Sequence, residues 1–339
     1  MSEADVRLQR LTHWLQHQLG WPLQRLEIAS ADASFRRYFR AFDLQGATRV
    51  VMDAPPDKED IAPYLAVARL LEACGVHVPH VEAVDSAQGF VLMEDLGSTQ
   101  LLGALRSGGD VEQLYRSALD ELLLIQVGGL RQHQHLPPYD AAVLERELQL
   151  MPEWFLARHL GLTPDAGEQR LLTDTFAQLI AAALAQPRVL VHRDYHSRNL
   201  MTSPSNRPGI IDFQDALSGP VGYDLVSLLK DCYIHWPRQR VVHWVFEYRA
   251  RLIAAGAAQL AGGSDSEFLR WFDWIGLQRH LKVLGIFARL SYRDGKHGYL
   301  DDLPLTLYYV RDTAARYGEL HDFRRWLEAR VVPAFQALP

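Results

Sequence analysis

Between residues 190 and 215 the chain reads LVHRDYHSRNLMTSPSNRPGIIDFQD. Asp194 is followed five residues later by Asn199, and Asp212 ends a short apolar run behind the turn at Pro208-Gly209. These are the groups that transfer of a γ-phosphoryl group requires. One carboxylate accepts the proton of the attacking hydroxyl, and an amide and a second carboxylate hold Mg²⁺ against the phosphate charge of ATP. The spacing predicts a strand at Val189 to Val191 that delivers His192-Arg193-Asp194 to a loop closed by Asn199. Ile210-Ile211-Asp212 is then expected to return as a second strand. An Asp after an apolar strand is by itself commonly a turn or cap residue. The combination selects kinase chemistry: HRD-x4-N, then DFQ where protein kinases have DFG, then Gly222-Tyr223-Asp224-Leu225 opening an apolar helix.

On these residues the chain resembles the aminoglycoside phosphotransferase-like kinases of small molecules, over nearly its whole length. The segments SADASFRRYFR at 30 to 40, VVMDAPPDKED at 50 to 60 and VLMEDLG at 91 to 97 make it most similar, within that family, to the bacterial cell-wall-recycling kinases. Those enzymes phosphorylate N-acetylmuramate and N-acetylglucosamine at C1. The resemblance implies an α+β, bilobal protein-kinase-like fold. It places the adenine of ATP between the lobes, against the connector Met93-Glu94-Asp95-Leu96, with the Glu94 carbonyl and the Leu96 amide meeting the adenine edge. Asp224 resembles the family's buried carboxylate that supports the catalytic loop, and His192 reads as a structural imidazole bracing that loop. His196 is open to either role.

Two departures from the kinase pattern bear on the phosphates. The loop from Ser30 to Phe35 contains no glycine, so Ser30, Asp32 and Ser34 with neighbouring amides are expected to approach the phosphates. The third strand ends Val51-Met52-Asp53, where kinases place a lysine. Arg36, Arg37, Arg40 or Lys58 are the candidates to replace that cation, with Arg36 and Arg37 foremost, unless Mg²⁺ carries more of the neutralisation. Val51, Met52 and Val91 are expected as apolar walls of the nucleotide site, or else as plain core. Candidates to meet the sugar are Asp194, Asp215, Tyr233, Arg289 and Arg293, with Trp154-Phe155 and His235-Trp236 also open. An acetamido sugar calls for an aromatic platform and amide partners, and a lactyl carboxylate for an arginine.

The elements that must position these residues fall into two lobes, 1–97 and 98–339. Leu8, Leu11, Leu15 and Leu19 recur at helical spacing, predicting an opening helix that ends at Gly20. Short antiparallel strands are expected at Leu26 to Ile28, Tyr38 to Leu44, Arg49 to Met52, Val81 to Val84 and Phe90 to Met93. A helix over Ile61 to Ala73, stopped by Gly75, interrupts them, and the last two strands complete a five-stranded N-lobe sheet. Helices are predicted thereafter at 111–126, 141–158, 168–185, 224–235, 238–260, 266–290 and 305–331. No internal repeat or low-complexity tract is present.

At 339 residues and 48% hydrophobic content the chain can bury a core in each lobe. A net charge of −6 gives no basic stripe for nucleic acid. No apolar run reaches the ~18 residues of a membrane span, the start MSEADVRLQR is unlike a signal peptide, and a cytoplasmic location is expected. The two cysteines, Cys74 and Cys232, read as small buried apolar residues. Residues 265–330 hold ten acidic and eleven Lys/Arg residues, which argues against a polycationic aminoglycoside as substrate. A choline-type kinase with an aromatic cage, or a catalytically silent nucleotide-binding module, remain the rival readings, and oligomeric state is not encoded in any feature of the sequence.

Overall fold

A computed structural model describes residues 3–31, 35–203 and 207–338. Packing gathers them into two compact units, Met1–Glu121 with Arg198–Asp215, and Leu122–Ser197 with Ala216–Pro339. This cut differs from a division at residue 97. The stretch after Gly97 and the short hairpin after Arg198 pack with the sheet: Thr202 N–H donates to Thr99 O at 2.8 Å and Ile210 N–H to His77 O at 2.8 Å.

The first unit is built on an antiparallel sheet of order β1-β2-β3-β5-β4. Its strands are β1 (Leu23–Ala31), β2 (Arg37–Asp43), β3 (Thr48–Asp53), β4 (Val81–Asp85) and β5 (Phe90–Glu94). The register Arg37↔Asp53, Tyr38↔Met52, Phe39↔Val51 and Arg40↔Val50 fixes which side chains share a face. On one face Phe39, Ala41, Val51, Phe90 and Leu92 pack against Leu11, Trp14 and Leu15. Leu11 belongs to α1 (Glu3–His13), and Trp14 and Leu15 to the wider helical turn that continues it. The other face carries Tyr38, Arg40, Val50 and Met93, next to Tyr64 of α2 (Ala62–Ala73). α3 (Leu101–Arg106) and the start of α4 (Val111–Leu123) follow. β7 (Leu200–Met201) and β8 (Gly209–Ile210) then pair as a hairpin, Leu200↔Ile210. The expected second catalytic strand is therefore only two residues long, and Asp212 stands beyond its end.

The second unit is mainly helical. Its one small sheet pairs β6 (Arg188–Val191) with β9 (Leu217–Pro220). Around it stand α5 (Ala141–Leu148), α6 (Ala166–Leu184), α7 (Gly222–Leu229), α8 (Arg238–Ala254), α9 (Asp265–Asp294), α10 (Leu303–Ala314), α11 (His321–Trp326) and α12 (Val332–Gln336). The long 305–331 helix expected from periodicity is thus broken near Gly318, and the 224–235 helix stops at Leu229. α6 starts on a capping box between Asp165 and Glu168. α9 runs for 30 residues, from a Ser264 side chain that accepts Glu267 N–H to Gly295 at φ +68. Its Leu277, Leu281, Leu284 and Phe287 join Phe155, Phe176, Leu179, Leu307 and Val310 in the main core. α9 approaches its neighbours so closely that a Cβ on Gly285 would lie 2.3 Å from the Leu150 carbonyl carbon. No helix among the described residues is long and apolar enough to cross a membrane.

Candidate active site

β6 ends at Val191 and hands the chain to a loop whose backbone one carboxylate holds. Asp224, in the first turn of α7, accepts His192 N–H at 2.7 Å and Arg193 N–H at 3.0 Å. Arg193 needs that support: its φ is +78°, a conformation that costs a non-glycine residue about 1–3 kcal/mol. Burial pushes the Asp224 carboxyl up to about 6, with His192 and the two N–H groups pulling the other way. Asp194 N–H donates to His192 Nδ1 at 3.2 Å, which leaves the imidazole proton on Nε2. The Arg193 side chain reaches Glu147 at 2.6 Å, and Glu147 also meets Lys282 Nζ at 3.0 Å.

Asp194 is half-buried. Burial works to raise its pKa, but Lys282, His196, Arg279 and Arg193 hold its carboxyl below the usual carboxylate range. It is therefore ionised at neutral pH. Burial lowers His196, whose ring meets Tyr233 edge-on at 5.4 Å and whose Nδ1 has no partner among the described residues. The far end of the loop is tied by Asp231, which accepts Ser197 N–H at 2.9 Å, the Ser197 hydroxyl and, at 3.0 Å, Tyr233 N–H.

In the first unit the β7–β8 hairpin sets Asn199 beside Asp212. Ile211 N–H donates to Asn199 O at 3.1 Å, and Asn199 Nδ2 lies 3.3 Å from Asp212 Oδ2. Gln214 Nε2 donates to Asp212 Oδ1 at 2.8 Å. Asp212 has φ +64° and, with Arg193, is one of two such non-glycine residues among those described. Strain of this kind concentrates at functional positions. Phe213 stacks on Tyr64 with centroids 4.9 Å apart, and the Tyr64 hydroxyl donates to Met93 Sδ at 3.1 Å, so α2, β5 and the Asp212 turn are locked together. No group of three or more His, Cys, Asp or Glu able to hold a metal occurs among the described residues. The Asn199–Asp212 pair nevertheless suits Mg²⁺, which takes one or two protein oxygens and fills its octahedron with phosphate and water. Turning the Asn199 amide would present its oxygen.

A cavity of ≈ 290 Å³ adjoins this pair within the first unit. Val50, Met93, Met201 and Ile211 supply apolar lining, the connector from Glu94 to Gly97 one edge, and Asn199 and Asp212 another. Leu96 N–H donates to no acceptor among the described residues. Arg40, also lining, is committed to Asp95 at 2.6 and 3.0 Å and to Gly97 O at 2.8 Å.

The sequence-expected residues divide as follows. Met93, Glu94, Leu96, Asn199 and Asp212 share the cavity. Val51 does not; it lies on the opposite face in the core with Leu11 and Trp14, and its neighbour Val50 lines the cavity instead. Asp53 is likewise on the α1 face, fully buried, where Arg7 and Arg37 grip its two oxygens. By strand alternation Met52, not Asp53, shares the cavity face, and Arg37 is a partner of Asp53. Arg36 lies 3.9 Å from Glu59 and is among the charges acting on the hydroxyl of Tyr64, which lines the cavity, but Arg36 itself does not line it. Lys58 sits over the Phe35 ring. Ser30 pairs with Tyr38 through its backbone, while its side chain, Asp32 and Ser34 lie outside the described residues. Asp215 is exposed, Tyr233 packs on His196 and Phe287, and Arg293 pairs with Asp294 at 2.7 Å. Arg289 is half-buried with its Nε unpartnered among the described residues. Reading the sequence missed Glu147, Asp231, Arg279 and Lys282. The one signal available was the run Gln278-Arg279-His280-x-Lys282 inside an otherwise apolar helix.

A model of the phosphotransferase enzyme family matches residues 25–272. An N-acetylmuramate/N-acetylglucosamine kinase of Pseudomonas putida is 45% identical over 330 residues, covering 94% of this chain and 95% of its own length. A protein of the same name from Pseudomonas aeruginosa is 46% identical, with 93% and 94% covered. Among solved structures, the ADP-bound aminoglycoside phosphotransferase APH(2'')-Ib superposes with a TM-score of 0.57 at 15% identity, over 88% of this chain and 97% of that one. At that identity the likeness is one of fold, and the fold is protein-kinase-like.

Proposed function

The chain belongs to the phosphotransferase enzyme family, and from that premise we infer that it transfers the γ-phosphoryl group of ATP to the anomeric C1 hydroxyl of N-acetylmuramate and N-acetylglucosamine. The observation that carries this reading is the 45% identity, over nearly the full length of both chains, to a kinase named for those two sugars. In the reaction the sugar O1 forms a bond to the γ-phosphorus, the bond from that phosphorus to the β-bridging oxygen breaks, and ADP leaves. The O1 proton passes to Asp194. The cations around Asp194 keep it ionised, as a proton acceptor must be, and an anomeric hydroxyl, acidified by the ring oxygen, asks little basicity of it.

Adenine is assigned to the 290 Å³ cavity, with the Leu96 amide as the donor to the base and Val50 and Met93 as walls. Asn199 and Asp212 would hold Mg²⁺, which when bound neutralises phosphate charge during transfer. Arg36 is assigned the role of the missing lysine, because its charge is felt by Tyr64 of the cavity wall whereas Arg37 is spent on Asp53. The test is ADP release by the purified protein with each sugar, choline and an aminoglycoside in parallel. Turnover with either acetamido sugar and none with the other two is expected. Turnover confined to choline or the aminoglycoside would reassign the substrate class, and no ADP release with any acceptor would leave a nucleotide-binding module.

A further inference from the structure

α9 carries two cations into the interior of the second unit, and only one has a bonded counter-charge. Lys282 Nζ lies 3.0 Å from Glu147 and 3.0 Å from the Tyr223 hydroxyl. Arg279, one turn earlier on the same helix, is 4% exposed, and the hydrogen bond its guanidinium makes is to the Cys232 thiol at 3.7 Å. No carboxylate among the described residues forms an ion pair with it. Other buried cations of this unit are paired, Lys230 with Asp273 at 3.2 Å and Arg193 with Glu147 at 2.6 Å. A guanidinium offers five N–H donors in a fixed fork, a thiol is a weak acceptor, and a buried charge left without a bonded partner is costly. Such a group has donor capacity left over for a further acceptor.

Its place in the fold says which acceptor. Neighbouring residues of α9 fasten the helix to the elements around the catalytic loop: Gln278 to Glu147 at 3.2 Å, His280 to Lys230 O at 3.0 Å, Lys282 to Glu147. Cys232 follows Asp231, which ties Ser197 of that loop, and precedes Tyr233, which packs on His196. Burial works against the Arg279 charge, and Cys232, Tyr223, Asp194 and Asp231 around it more than offset that, so it remains protonated. Arg279 is thus an electrostatic neighbour of Asp194, whereas neither Arg289 nor Arg293 is among the leading charges acting on that carboxylate. Ten residues of helix put Arg289 roughly 15 Å further along α9. In N-acetylmuramate the lactyl carboxylate is about six bonds, on the order of 7 Å, from the anomeric oxygen.

We propose that Arg279 binds the lactyl carboxylate of N-acetylmuramate and is the residue that distinguishes the acidic from the neutral amino sugar. This rests on the amino-sugar reading given above. It also accounts for how one site serves both sugars: the neutral sugar leaves Arg279 as it stands, and the acidic one supplies its missing partner.

The experiment compares three acceptors, N-acetylmuramate, its lactyl carboxamide and N-acetylglucosamine, on the wild type, Arg279→Gln and Arg279→Lys. On the wild type the carboxamide should show a KM on the order of 10²-fold above that of the acid. Arg279→Gln should raise the KM for the acid by a similar factor and no longer separate acid from amide. Both sugars should share whatever is lost through the weaker positive field on Asp194, so the loss of kcat/KM on N-acetylglucosamine should be at least about tenfold smaller than the loss on the acid. Arg279→Lys, which keeps the charge but loses the fork, should recover part of the preference and serves as the variant of record if the glutamine form melts early. Equal use of acid and amide by the wild type would overturn the assignment of Arg279 alone, as would a proportional loss on both sugars in either variant. A wild type that binds ATP but phosphorylates neither sugar would overturn the amino-sugar reading and this assignment with it.

Discussion

Asp194, the proton acceptor proposed above, stands where four cationic or imidazole side chains favour its charged form. Its basicity is low, and the contribution proposed for it is to orient the acceptor hydroxyl and receive the proton as the O–P bond forms. Replacing it with Asn preserves shape and removes both functions. We expect kcat of Asp194→Asn to fall by roughly 10²–10⁴-fold, with ATP affinity measured by calorimetry unchanged; a variant with near-normal turnover would exclude Asp194 as the base. Asp224 behaves oppositely, since burial raises its carboxyl to about 6. A folded-state value above the ordinary one means that folding favours the protonated form. The stability it contributes is complete below its ordinary range and is lost as pH rises through about 6. The Tm of wild type relative to Asp224→Asn should therefore rise as pH is lowered from about 7.5 to 5, a range that spans that titration. A flat difference would mean that Asp224 stays ionised throughout. The residues at this scale were legible because the HRD-x4-N spacing is covalent. Their electrostatics were not, since the shifting groups lie up to 88 positions away in sequence, on α9.

Strand alternation decides what a carboxylate in place of the kinase lysine means on β3. Val50 and Met52 share the cavity face, and Val51 and Asp53 share the α1 face, so the carboxylate at the position of the kinase lysine points away from the cavity proposed for the nucleotide. It anchors Arg7 of α1 and Arg37 of β2 instead, joining helix to sheet. Changes at Asp53 and at Arg36 should thus separate. Asp53→Asn is expected to cost on the order of 3 kcal/mol of stability, somewhat discounted because Arg37 is a third exposed, and to leave the KM for ATP unchanged. Arg36→Ala is expected to raise the KM for ATP roughly tenfold with little change in Tm. Chemical denaturation and steady-state kinetics on both variants check this. An ATP defect in folded Asp53→Asn together with none in Arg36→Ala would return the phosphate cation to the Asp53 side. The alternation of β3 was present in the sequence, but not which of its faces would receive α1.

For the whole molecule, the acceptor position is the property that the fold alone leaves open, since the protein-kinase-like fold serves many acceptors. A kinase acting at C1 needs a free reducing end, and one acting at C6 does not. Methyl glycosides of both sugars should therefore be inert, while the 6-deoxy analogue should be phosphorylated with at most a raised KM, and the phosphorus NMR of the product should show coupling to the anomeric proton. Phosphorylation of a methyl glycoside would place the transfer elsewhere on the sugar. What the sequence determined by itself was the chemistry and its order along the chain. The placing of Asp194, Asn199 and Asp212 along the chain, the connector Met93 to Leu96 and the five strands follow from spacing and period over a few residues, which backbone geometry enforces locally. The tertiary structure alone decided who is paired with whom. Arg7 and Asp53 are 46 residues apart, Arg193 and Glu147 also 46, and Lys282 and Glu147 135, so their contacts form only when distant elements pack. The same packing buried Arg279 with a thiol for company, because its counter-charge depends on which side chains α9 meets and not on the residues beside it in sequence.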